Sequence, residues 1–228
     1  MVPTKFNYLF IPLLCALMLC GTATASPTLV YDNTTTATSG TFEPNGLPHG
    51  FWSFNQIWPG EPMGDQIMLA GTERTHALFD LMVSSSQPTT LTNITLYLYN
   101  VDSATYTPGT QFWSGSLQDV AVNGLTTVTF SITNPGVPLP DTFIWLASAH
   151  SDVAGLATFN PPTVGSSEDF YWDHDPDEDA WYSMAFRSDP AANFGARVWA
   201  EANPIPEPAS IIFVLLGGLA VRGKRRGR

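Results

Sequence analysis

The chain has 228 residues, 44% of them hydrophobic and 13% charged, a balance that suits a folded domain and excludes a disordered one. Its formal net charge is −11, and between Ser26 and Asn203 three arginines (Arg74, Arg187, Arg197) stand against 19 acidic residues, a net −16 for that stretch. Such a body excludes nucleic acid as a partner, because binding a phosphate backbone needs clustered cations to release its counterions.

At the N-terminus Lys5 precedes an apolar run from Leu9 to Cys20, and Ala23-Thr24-Ala25 follows before Ser26. The run is too short to span a bilayer comfortably. Charge, apolar core and small-x-small residues in that order predict a secretory signal peptide over residues 1–25, cut after Ala25 so that Ser26 leads the mature chain. The partners this implies are the Sec translocon and signal peptidase. A lipoprotein cut before Cys20 is the competing reading, and bulky Leu19 stands where that cut wants a small residue. Cys15 and Cys20 both fall inside the leader, so the mature chain has no disulfide, thiolate metal site or cysteine nucleophile.

Residues 26–202 read as β throughout. In "LTNITLYLYN", Leu91, Ile94, Leu96 and Leu98 lie nearly in register on one side and Thr95, Tyr97 and Tyr99 on the other. This is the period-two pattern of a strand with one wet face. "HALFDLMVS", "TTVTFSIT", "TFIWLASA", "AWYSMAF" and "GARVWAE" are similar runs, separated by turn signals such as Asn123-Gly124 and Asn134-Pro135-Gly136. Short strands without helical crossovers predict an all-β fold, an antiparallel β-sandwich of jelly-roll type. The absence of a fixed-period repeat argues against a propeller or solenoid. Ser39 to Pro62, rich in Gly, Pro and aromatics, reads as a long ordered loop, since Phe51, Trp52, Phe54 and Trp58 would otherwise be stranded in water.

Several residues in this body invite a chemical reading. In "DHDPDEDA", Asp173, Asp175, Asp177 and Asp179 alternate, and alternate carboxylates on a tight loop can supply oxygens to Ca²⁺. Glu178 stands where an EF-hand has its turn glycine and Met184 where it has its bidentate Glu, which excludes a standard EF-hand and favours a solvated acidic turn between strands over a Ca²⁺ site. The four histidines, His49, His76, His150 and His174, have no zinc-binding spacing, and no G-x-S-x-G elbow marks a nucleophile. Trp52, Trp58, Trp172 and Trp181 could stack on sugar rings, or fill the core and edges of a sandwich as most tryptophans do.

The tail begins with Pro206-Glu207-Pro208. Each proline biases the residue before it towards extended backbone, the shape a protease or transpeptidase cleft reads. Ala209 to Val221 follow without a charge, and as a helix these 13 residues would cover roughly 20 Å of a hydrocarbon core of about 30 Å. Arg222, Lys224, Arg225, Arg226 and Arg228 come next; snorkelling extends a short span, and the positive-inside rule keeps this end cytoplasmic and the body outside. One short C-terminal transmembrane helix is therefore expected within residues 203–228.

"PEPASIIFVLLGGLAVRGKRRGR" resembles the PEP-CTERM sorting signal: a Pro-Glu-Pro motif, an apolar helix and an Arg-rich end, covering about a tenth of the chain. The resemblance implies a bacterial exosortase as partner, a membrane-embedded enzyme with a proposed cysteine-based transpeptidase mechanism. It also implies a setting of extracellular polysaccharide. Carried over, Pro206, Glu207 and Pro208 are the recognition motif, Ala209 to Val221 the membrane stop and Arg222 to Arg228 the retention tail. The apolar run is shorter than the family's pattern. "GDQIMLAGTERTHALFDLMV", "YTPGTQFWSGSL" and "FNPPTVGSSEDFYWDHD" are similar to a secreted domain that often precedes this signal and carries no assigned activity.

Together these readings describe a non-enzymatic exported protein, held in the inner membrane by its tail until an exosortase acts, then placed at the cell surface or in the extracellular matrix. A carbohydrate-binding module of the exopolysaccharide, with or without Ca²⁺, is the alternative. A secreted hydrolase is a third reading.

Overall fold

The computed structural model describes residues 26–35, 51–55, 60–132, 138–159, 161–185 and 193–202. Ala23, Ala25, Trp58, the motif Pro206-Glu207-Pro208 and the rest of residues 203–228 lie outside them. The described chain is all-β, with no helix long and apolar enough to cross a membrane.

Two antiparallel sheets face each other across a shared core. One contains β1 (Thr28–Asp32), β2 (Phe51–Ser53), β4 (Thr75–Ser85), β7 (Thr126–Ile132), β9 (Ala154–Phe159), β12 (Asn193–Phe194) and β13 (Ala196–Glu201). The other runs in the order β11 (Ala180–Met184), β10 (Ser166–Asp175), β3 (Met63–Met68), β8 (Thr142–Ala149), β5 (Thr89–Val101), β6 (Pro108–Val122). Eight strands make the frame, β2–β9–β4–β7 opposite β3–β8–β5–β6, and the β10–β11 hairpin widens the second sheet beyond β3. Phe51 to Ser53, expected in a loop, form β2 because their backbone pairs with Gly155 to Ala157.

Period-two sequence decides what the frame buries. Leu96 and Leu98 of β5, Phe143 and Trp145 of β8, and Phe79, Leu81 and Val83 of β4 all face the core. Trp145 meets Phe79 edge-on with centroids 5.4 Å apart and Phe194 at 6.4 Å, so its indole joins the sheets. Each fully buried Leu or Phe there contributes about 1.5–3 kcal/mol.

Both described arginines hold the fold. Arg74 bonds Asp141 at 2.8 Å and donates to the carbonyls of Ala70, Gly71 and Glu73, tying down the bend before β4. On the outer face of the first sheet Arg197 meets Asp80 at 3.0 Å, and Asp80 also accepts the Thr129 hydroxyl at 2.7 Å, linking β13, β4 and β7.

The tripeptide Phe194-Gly195-Ala196 is bound from three strands and from the residue that follows β1. The Phe194 amide donates to Asp65 Oδ2 of β3 at 2.7 Å, across the sandwich. Asn33, just after β1, works as a backbone mimic: its Nδ2 donates to Phe194 O at 2.7 Å and its Oδ1 accepts the Ala196 amide at 2.8 Å. Gly195 donates to Ala157 of β9 and accepts from Met82 of β4. A Cβ on Gly195 would lie 2.4 Å from the Phe159 ring and 2.7 Å from Met82 Cβ, so only glycine allows this approach.

Asp65 is 0% exposed, its Oδ1 has no hydrogen-bond partner, and burial pushes its carboxyl well above the usual range despite the Phe194 amide. A carboxyl raised in the folded state stabilises fully below its unfolded value of about 4 and loses that contribution as pH rises further. Asp65→Asn should therefore gain stability over the native chain as pH climbs from 4 to 8. Asp65→Ala, which orphans the Phe194 amide, should lose about 1–3 kcal/mol at pH 4. Urea unfolding of both variants at the two pH values measures this; an Asp65→Asn difference independent of pH would contradict it.

Candidate functional site

The outer face of the six-stranded sheet carries two unlike surfaces. At the β10–β11 end it is aromatic and closed. Ile144 and Leu146 of β8 point outward yet are fully buried, and Trp172 beside them is 5% exposed. The Phe170 ring stands edge-on to Trp172 at 5.3 Å. Trp181 of β11 reaches Tyr99 of β5, with ring centroids 5.9 Å apart. Those strands are four steps apart in the sheet, about 19 Å if flat at 4.8 Å per step, so the sheet curls over this face and two long side chains close the remainder.

His174 lies opposite Trp181 in the hairpin register, and the two rings pack at a tilt with centroids 4.6 Å apart. Its Nδ1 is 3.0 Å from Glu61 and its Nε2 is 3.3 Å from Asp179, so both ring nitrogens face carboxylates. The neighbouring Asp173 is buried, and that burial pushes its carboxyl up to about 6 against the hydrogen bond from the His174 amide.

The acidic run, read from the sequence as a Ca²⁺ loop or a solvated acidic turn between strands, is a strand end followed by a hairpin turn. Asp173 and Asp175 belong to strand β10 and only residues 176–179 make the turn, because the backbone from Tyr171 to Asp175 pairs with β11. Asp175 Oδ1 accepts the amides of Asp177 and Glu178, capping the turn, while Asp179 reaches the histidine. Asp173, Asp175 and Asp179 thus serve different local contacts, and among the described residues no group of three or more His, Cys, Asp or Glu is placed to hold a metal ion.

The tryptophans are also turned towards the protein. Trp172 offers no open face, Trp181 is half-buried between His174 and Tyr99, and Trp52 is half-buried on the core side, 5.7 Å from the Tyr171 ring. None of the described tryptophans is exposed.

At the β5–β8 end the same face is polar and open. A cleft of about 290 Å³ is lined by Thr92, Asn93, Thr95 and Tyr97 of β5, by Ser148 and Ala149 of β8, by His150 and by Gly60. One wall is held by a ladder running to β6: Gln118 donates to Asn93 Oδ1 at 2.8 Å, Asn93 donates to Thr95 Oγ1 at 3.3 Å, and Thr95 and Ser116 share a 2.8 Å hydroxyl bond. Gly60 has φ +83°, and a Cβ on it would lie 2.2 Å from the His150 ring, so the loop lies directly on that imidazole. Among the described residues no carboxylate lines the cleft and no hydrogen bond joins Ser148 to His150, so these residues assemble neither a carboxylate pair nor a serine–histidine pair there. The sequence marked Thr95 and Tyr97 as a wet strand face but could not bring Ser148 and His150 to them. No family model matches this chain, and neither do curated proteins or solved structures.

Trp181→Ala should uncover Trp172 and cost about 2–3 kcal/mol, below the 3–5 typical of a fully buried aromatic. Acrylamide quenching of the remaining tryptophan emission should rise while the far-ultraviolet spectrum stays unchanged. Unaltered quenching would show that Trp181 does not cover this face.

Proposed function

We propose that this chain is a non-enzymatic, exported protein of the bacterial cell envelope or extracellular matrix, sorted by an exosortase that reads Pro206-Glu207-Pro208. The observation that carries the reading is the order of three parts in the tail: the proline-framed glutamate, 13 uncharged residues and five cations within the last seven residues. In this reading the exosortase supplies the chemistry and the chain is its substrate. The leader is removed between Ala25 and Ser26, the helix within residues 203–228 holds the body outside the inner membrane, and the basic tail stays behind.

The fold fits that placement. β1 begins at Thr28 and β13 ends at Glu201, so the sandwich occupies the interval between the two expected signals. Thr28 pairs with Ala200, which puts both ends of the body side by side. Only residues 202–205 separate β13 from Pro206, at most about 14 Å of extended chain, so the motif would be read close to the folded body. The jelly-roll form of the sandwich is supported by the eight-strand pairing order, in which the chain alternates between sheets except from β5 to β6.

Deleting Pro206 to Pro208 in the native host should leave a longer precursor in the inner membrane and empty the surface fraction, as followed by immunoblot of fractionated cells. Unchanged size and surface location would refute the sorting role.

A further inference from the structure

We infer that the cleft between β5 and β8 is a binding site for one ring of a neutral saccharide. The inference goes beyond the sorting reading and does not depend on it, since it rests on the cleft alone. At about 290 Å³ the cleft sits at the lower end of the ~300–1,000 Å³ range of small-molecule sites, room for a single sugar ring with its neighbours in solvent.

The lining selects the chemistry. On a body of net −16, the described lining of this cleft has no carboxylate, lysine or arginine, a lining fitted to neither a cation nor an anion. What it has instead is a set of short neutral donors and acceptors. Among the described residues, the hydroxyls of Thr92, Tyr97 and Ser148 and the ring nitrogens of His150 have no hydrogen-bond partner. Asn93 keeps one amide hydrogen and one oxygen lone pair after its bonds to Thr95 and Gln118. A polyol offers the complementary pattern, each hydroxyl donating once and accepting twice. Tyr97 adds a half-buried aromatic ring, against which the C–H face of a pyranose can lie while the phenol reaches a hydroxyl.

The site is also held in place before any ligand arrives. The Gln118–Asn93–Thr95–Ser116 ladder fixes one wall, and the loop at Gly60 sets the His150 ring at the rim. Groups positioned in advance lose little freedom on binding, which is how a shallow site gains affinity.

The test is a glycan array followed by calorimetry on the full chain in detergent micelles, using neutral hexose and N-acetylhexosamine oligosaccharides beside uronate oligosaccharides as probes. Binding of a neutral oligosaccharide is expected, weakened about tenfold or more by Tyr97→Ala and by Asn93→Ala, a loss of one good contact each. The exposed His150→Ala, which leaves the sheet untouched, should weaken it in the same direction, and circular dichroism checks that each variant is folded. No neutral binding, binding only of uronates, or neutral binding unchanged in folded His150→Ala and Tyr97→Ala would each overturn the assignment. Failure here leaves the sorting experiment unaffected, because processing at Pro206 to Pro208 is read in cells and does not involve the cleft.

Discussion

The sandwich depends on how Phe194-Gly195-Ala196 is held. Near the end of the chain, this tripeptide fixes β3 to the opposite sheet through Asp65 and fixes the end of β1 through Asn33. It also closes the junction where β9 and β13 share one side of β4. A buried carboxylate is a costly way to satisfy one amide, since the charged form is poorly solvated there. It is a specific one, because the observed arrangement of the two sheets satisfies the Phe194 amide and both ends of the Asn33 side-chain amide at once. The consequence reaches the ends of the domain: β13 lies between β1 and β4, so the first sheet cannot close until the residues next to the tail are in place.

The same frame explains why one sheet face has two characters. Curling brings β11 over towards β5 and seals Ile144, Leu146 and Trp172 beneath Trp181 and Tyr99. Further along β5 and β8 the outward residues are Asn93, Thr95 and Ser148, whose side chains are too short and too polar to seal anything. Tyr97 stands at the boundary, packed with the aromatic cluster on one side and lining the cleft on the other. The face thus combines a rigid apolar end with a wet concavity, and hydrogen bonds to β6 keep the concavity in shape.

Much of the fold was legible because its central strands obey simple rules. β4, β5, β7 and β8 are apolar at alternate positions on the buried side, and each reads as a strand alone. β3 and β10 do not, since "MGDQIM" has a glycine and a buried aspartate at its centre and the end of β10 is acidic. Their extended form is imposed by pairing with neighbours, a tertiary effect that local propensity does not carry. The acidic run shows the same effect: Asp173 and Asp175 alternate because they lie on a paired strand, and only residues 176–179 form the turn. The cleft was half legible. Thr95 and Tyr97 show as a wet face, but Ser148 and His150 join them only through the β5–β8 pairing, more than fifty residues apart in sequence.

The proposed export, retention and surface placement would suit this architecture: a cysteine-free acidic body that needs no oxidising partner, with both ends of the sandwich side by side next to the segment that an exosortase would read. The most direct measurement is the intact mass of the protein recovered from its native envelope. A mature chain that begins at Ser26 and lacks the basic tail from Arg222 to Arg228 is the predicted result. An unprocessed chain running from Met1 to Arg228 would contradict it.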